Sequence, residues 1–137
     1  MIRDGMDDVY RMLDSADAIV IATPVFFATV PAVLKAMYDR CQPYWARTHV
    51  LKQPRGPKRP GGMLVVGGGG DPFGNGCAIA TTKSVLAVLG VQYELQLEVE
   101  GPDAPRDIED RAEALLEAES LGVELVSLVQ HLRSSGA

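Results

Sequence analysis

The chain has 137 residues, 47% hydrophobic and 23% charged, and a net charge of −5. These figures point to one domain, residues 1–137, with a mostly aliphatic core because only 6% of residues are aromatic; they exclude compositional disorder and general nucleic-acid binding. No apolar run approaches the ~20 residues that span a bilayer, and no basic-then-apolar leader opens the chain.

The cysteines, Cys41 and Cys77, are too few for a disulfide framework or a metal–sulfur cluster. The expectation is a cytoplasmic protein with two reduced, packed thiols.

Met6, Val9, Tyr10 and Leu13 fall on one helical face, so a helix is predicted over Asp4 to Asp14, with acids at its positive end. Ala18 to Ala22 is a continuous apolar run, the pattern of a parallel strand covered on both faces. Pro24 is predicted to stop its ladder, having no N–H to donate. Phe26 and Phe27 then sit at the carboxyl end of the strand, where open α/β sheets bind ligands. Two readings stand for that pair: a lid over the core, or a wall beside a flat ring.

A second helix is predicted from a Thr29 N-cap, with Pro31 in its first turn. Val30, Val33, Leu34, Met37, Tyr38 and Cys41 form its inward stripe, and it ends near Gln42-Pro43. Tyr44 and Trp45 either cover that end or meet another subunit. Gln53 to Gly61 reads as a proline- and glycine-rich loop. Its basic residues Arg55, Lys58 and Arg59, with Lys52, are either solvated or meet an NADPH phosphate or an acidic partner surface.

Gly62 to Val66 is the next buried strand, running into Gly67-Gly68-Gly69-Gly70-Asp71. No window fits a G-x-G-x-x-G or P-loop pattern. The glycines suit either a flexible turn or a backbone that approaches something flat. A helix follows over Cys77 to Leu89, with Cys77, Thr81, Ser84, Val85 and Val88 inward and Gly90 as its stop. Val91, Tyr93, Leu95, Leu97 and Val99 alternate with polar residues, as in an edge strand with one wet face. A long helix from Asp107 to about Arg133 closes the chain, its buried stripe traced by Ile108, Ala112, Leu115, Ala118, Gly122, Leu125, Val126 and Val129. His49 and His131 stand apart from any acid or cysteine cluster, so no metal ligand is assigned.

Asp7-Asp8, the run Ala16 to Phe27, Lys35 and Asp39-Arg40-Cys41 together resemble the NADPH-dependent FMN reductase family, most of all its iron–sulfur flavoprotein branch. The resemblance implies a three-layer α/β, flavodoxin-like parallel sheet. It implies FMN as cofactor, NADPH or NADH as co-substrate, and electrons passed to a quinone, metal or free-flavin acceptor. In that family the Pro-Val-aromatic-aromatic loop lies against the isoalloxazine ring and the second loop edges its pyrimidine side. Carried over, these are Pro24, Val25, Phe26, Phe27, Ala28 and Thr29, and then Gly68, Gly69, Gly70 and Asp71. No catalytic side chain is assigned, since the flavin performs the chemistry.

The readable strands match strands 3, 4 and 5 of the five-stranded order 2-1-3-4-5. The phosphate loop and the branch's cysteine cluster have no counterpart from Met1 onward, so the expected fold is truncated to the 3-4-5 portion. Flavin binding is then expected to be weak or completed by a second subunit. The Ala18–Thr23 strand becomes a bare apolar edge, and either copies associate through it or the chain is a fragment or late-start product of a longer one. The other reading is a flavodoxin-like remnant without catalysis, serving as an assembly or regulatory subunit.

Overall fold

The computed structural model describes residues 4–54, 56–102, 104 and 106–135. In chain order the elements are α1 (Met6–Ser15), β1 (Ile19–Pro24), α2 (Ala32–Asp39), α3 (Gln42–His49), β2 (Arg59–Gly67), α4 (Gly76–Val88), β3 (Val91–Glu100), a 3-10 turn (Asp107–Asp110) and α5 (Ala112–Ser134). The strands form one parallel sheet in the order β1-β2-β3, so β1 and β3 are both edges.

One face of the sheet carries Ile19, Met63, Val65 and Val91, all buried. Met6 and Leu13 of α1, Tyr38 of α2, Tyr44 of α3 and Ala78 and Leu86 of α4 pack over it. Tyr38 and Thr82 satisfy each other's hydroxyls there at 2.9 Å. The other face carries Val20, Ala22 and Pro24 in register with Gly62, Leu64 and Val66, and these with Leu95, Leu97 and Val99. α5 crosses that second face over β2 and β3, giving three layers.

Several expectations shift for identifiable reasons. The β1 ladder does not stop before Pro24. Pro24 lies opposite Val66, and the Val25 N–H donates to Val66 O at 2.9 Å. Alternate residues bond to alternate sides of a parallel strand, so the proline's missing donor faces the open edge, where it costs nothing. The second predicted helix is α2, Ala32–Asp39, and a further helix, α3, begins where it was expected to end. Pro43 sits in the first turn of α3, where its missing N–H is harmless, so it starts a helix instead of ending one. Val33 leaves the predicted stripe and is 84% exposed. Tyr44 is buried beside Tyr10, whereas Trp45 is half exposed and stacks on His49.

In α4 the buried positions are Ala78, Thr82 and Leu86, one residue on from the predicted stripe. Cys77 is consequently exposed, not packed; Cys41 is buried, and burial pushes its thiol up. Glu94 is an extra residue between the pairs Gly61–Tyr93 and Gly62–Leu95. This bulge turns Leu95, Leu97 and Val99 onto the face opposite Val91. In α5 the half-buried residues are Ala114, Ala118, Leu121, Leu125, Leu128, Val129 and Leu132, so Ala118, Leu125 and Val129 of the predicted stripe face inward while its Ala112, Leu115, Gly122 and Val126 are exposed.

Arg59, expected in a solvated loop, opens β2. Its guanidinium donates to Leu13 O, to Ala16 O at 2.8 Å and to Leu89 O at 3.0 Å. Those carbonyls close the C-terminal ends of α1 and α4, whose negative ends a cation stabilises. Arg59→Ala orphans all of them and is expected to cost about 3 kcal/mol, read from urea denaturation. A wild-type midpoint would show that water replaces the guanidinium without penalty.

Candidate functional site

The carboxyl ends of β1 and β2 lie side by side, because Pro24 is in register with Val66. Each strand leaves the sheet through an exposed loop. After β1, the Phe26 N–H donates to Thr29 O at 2.8 Å and the Thr29 N–H returns to Phe26 O at 3.2 Å. Phe27 and Ala28, between them, have φ of 50° and 61°. Both central residues of this tight turn are therefore left-handed, the geometry that usually selects Asn-Gly or Gly-Gly. Each non-glycine residue there carries ~1–2 kcal/mol of backbone strain.

The turn sends its side chains in opposite directions. Ala28 is buried and Val30 is 3% exposed, pinning the loop to the core. Phe26 is 57% exposed and Phe27 is 98% exposed. Thr29 is not a helix cap, contrary to expectation; its backbone closes the turn, and Pro31 takes the cap position of α2.

After β2, Gly67 O accepts the Gly101 N–H at 2.9 Å, which ties the loop to the end of β3. Gly68 to Asp71 are all exposed, and Gly69 and Gly70 have φ of 82° and 78°. The N–H groups of Gly68, Gly69 and Gly70 find no acceptor among the described residues. Asp71 turns its carboxylate inward along the loop, accepting the Phe73 N–H at 2.8 Å, while its carbonyl accepts the Gly74 N–H at 3.0 Å. Both bonds shape the loop. Phe73 stands 73% exposed beyond it.

Asn75 is a residue that pattern reading missed. It is buried, its Nδ2 reaches Glu98 Oε2 at 3.4 Å, and a Cβ added at Gly67 would lie 2.9 Å from its Oδ1. It wedges between the β2 end and α4, and its place immediately before a helix was the available signal.

Apolar ring surface on one loop and unsatisfied N–H donors on the other suit a flat ligand with hydrogen-bonding edges. No group of three His, Cys, Asp or Glu side chains able to hold a metal lies among the described residues. No helix among them is long and apolar enough to cross a membrane. Lys58 immediately precedes Arg59, which opens β2 at the end of the sheet opposite both loops; Arg55 lies outside the described residues.

The chain is similar to known proteins across most of its length. An iron–sulfur flavoprotein of Methanosarcina thermophila is 37% identical over 68 residues, 50% of this chain and 33% of that protein. An iron–sulfur flavoprotein of Methanocaldococcus jannaschii is 34% identical over 86 residues, 63% of this chain and 41% of that one. The chain thus spans about a third of the length of the curated relatives it matches first. Among solved structures, a flavone reductase superposes with a TM-score of 0.68 at 16% identity, over 97% of this chain and 50% of that one. The Trp repressor binding protein of Bacillus subtilis superposes with 0.62 at 23% identity, over 85% and 70%. A flavodoxin of Pseudomonas aeruginosa gives 0.55 at 18%, over 83% and 71%. These structures show a flavodoxin-like fold. The profile of the NADPH-dependent FMN reductase family matches residues 2–99, and the chain belongs to that family.

Proposed function

We propose that this chain is a flavin-dependent oxidoreductase unit that holds FMN between the Pro24–Thr29 turn and the Gly68–Asp71 loop. The observation that carries the reading is the strained, 98% exposed Phe27 at the carboxyl edge of the sheet. Strain persists where surrounding structure over-determines it, and it concentrates at ligand clamps. Here the Phe26–Thr29 hydrogen bonds and the buried Ala28 and Val30 do the holding.

The chain's own part is binding and orientation. Phe26 and Phe27 offer ring surface to one side of a flat heterocycle. Gly68, Gly69 and Gly70 offer N–H groups to its carbonyl-bearing edge. When bound, the flavin supplies hydride and electron transfer. NADPH or NADH is the donor we propose, with a quinone, metal or free flavin as the acceptor; family membership and reductase neighbours support this. Assembly without catalysis is the second reading, favoured by the apolar faces that β1 and α5 leave open.

Titrating the purified chain with FMN and following flavin fluorescence tests the first reading. Saturable quenching in the micromolar range is expected, followed by FMN-dependent oxidation of NADPH. Absence of binding at millimolar FMN would overturn it and leave the assembly role.

A further inference from the structure

Every described arginine but one has an evident partner. Arg11, Arg40, Arg106 and Arg133 pair with carboxylates. Arg59 binds three carbonyls, and Arg47 lies over the Tyr44 ring at 5.1 Å. Arg111 has no such partner among the described residues. It stands exposed between the 3-10 turn and α5, at the positive end of that helix, where a cation is the disfavoured charge. Asp110 and Glu113 are near it in sequence, yet neither forms an ion pair with it.

The backbone of Arg111 is fixed from both sides. Its N–H donates to Ile108 O at 3.0 Å, and its carbonyl accepts the Leu115 N–H at 3.1 Å. From there the side chain reaches back to Gly101, just past the end of β3. A Cβ at Gly101 would lie 2.6 Å from Arg111 Nη2, and Gly101 has φ of 105°. Glycine serves both needs there, accepting the left-handed backbone and leaving room for the guanidinium. Gly101 is also the residue tied to Gly67 O, and a Cβ at Gly69 would lie 3.9 Å from its N. The guanidinium therefore sits beside the loop whose Gly68, Gly69 and Gly70 N–H groups are unsatisfied. Bare donors and an unpaired cation at one place suit a ligand edge that gathers negative charge.

We propose that Arg111 sets its positive charge at the carbonyl-bearing edge of the bound flavin and favours the reduced form of the ring. The proposal rests on the flavin reading given above. A hydride from a reduced nicotinamide brings two electrons and one proton to the ring and leaves the nicotinamide oxidised. The ring gains one negative charge in that exchange, and a cation near its edge stabilises the product more than the reactant. Arg111 thus acts on the balance between the two forms more than on affinity for the oxidised one.

The potential of FMN bound to the purified chain, measured by reductive titration against a reference dye, tests this. Arg111→Gln is expected to weaken reduced FMN about tenfold and oxidised FMN much less. Tenfold corresponds to a two-electron potential lower by about 30 mV. Arg111→Lys keeps the charge and should restore most of the difference. Arg133→Gln removes the same charge at the opposite end of the sheet, where Arg133 pairs with Asp17, and should leave the potential at the wild-type value. A wild-type potential in Arg111→Gln overturns the proposal. So does an equal loss of affinity for both forms, which would assign Arg111 to a phosphate group instead. Absence of FMN binding by the wild-type chain overturns the flavin reading itself, and this proposal with it.

Discussion

Gly62→Ala is expected to abolish the folded state, or to cost about 4 kcal/mol or more if any folds. A Cβ at Gly62 would lie 2.1 Å from Leu95 O and 2.8 Å from Leu95 Cβ. Neither atom can swing aside, because both belong to the β3 segment that the sheet holds. Gly61 is under the same constraint from the other side, where its Cβ would lie 2.1 Å from Ile19 O. The glycine pair therefore lets β1 and β3 close on β2 at the level of the Glu94 bulge. That bulge decides which residues of β3 face α5, and the β1–β2 register decides that the Pro24 turn and the Gly68 loop end together. Loss of Gly62 should accordingly remove stability and flavin binding as one event. Urea denaturation and soluble yield read the first; fluorescence quenching reads the second. Gly76→Ala is the control, since its Cβ meets nothing within 4 Å, and a wild-type midpoint is expected there. Equal stability of the Gly62 and Gly76 variants would mean that the sheet relaxes around the bulge.

Where the sequence carried one period and one partner, it was legible. The unbroken run at Ala18–Ala22 marked a parallel strand, although helices cover only its Ile19 face and Val20 and Ala22 stay exposed, and Met6, Val9, Tyr10 and Leu13 marked the inward face of α1. Both loops chosen as candidate ligand contacts lie at the carboxyl end of neighbouring strands. α5 was read partly out of phase because its apolar residues cover too wide an arc, so Ala118, Leu125 and Val129 of the expected stripe face inward while Leu115, Gly122 and Val126, which fitted the period as well, are exposed. The Glu94 bulge left no trace in an alternation that continues across it. Pro43 has two meanings, a stop for one helix and a start for the next, and tertiary packing of Tyr44 selected the second. Arg59 looked like one more loop cation; only the convergence of two helix ends on β2 gives it its partners. Nothing in the residue types at Phe27 and Ala28 announces a turn that normally takes glycine. Local preference and observed backbone disagree there, and that disagreement is what singles the turn out.

Phe27→Gly follows from that disagreement and separates stability from binding. Glycine occupies left-handed backbone without the ~1–2 kcal/mol of strain carried by phenylalanine. Against this stands the extra freedom that glycine gives the unfolded chain, ~0.5–1 kcal/mol. No packing is lost, because a side chain 98% exposed touches almost nothing of its own chain. The balance predicts a thermal midpoint equal to or above wild type. Truncating an exposed aromatic otherwise changes little, so a gain would report relief of the turn. Binding should move the other way. Losing one aromatic contact to the ring weakens FMN about tenfold, and Phe27→Tyr, which keeps both the ring and the strain, should bind as wild type does. A falling midpoint with unchanged FMN affinity would assign Phe27 to the fold and move the ring contact elsewhere. A rising midpoint with weakened binding would show that the chain retains a less stable backbone at position 27 in order to hold an aromatic ring where a ligand meets it.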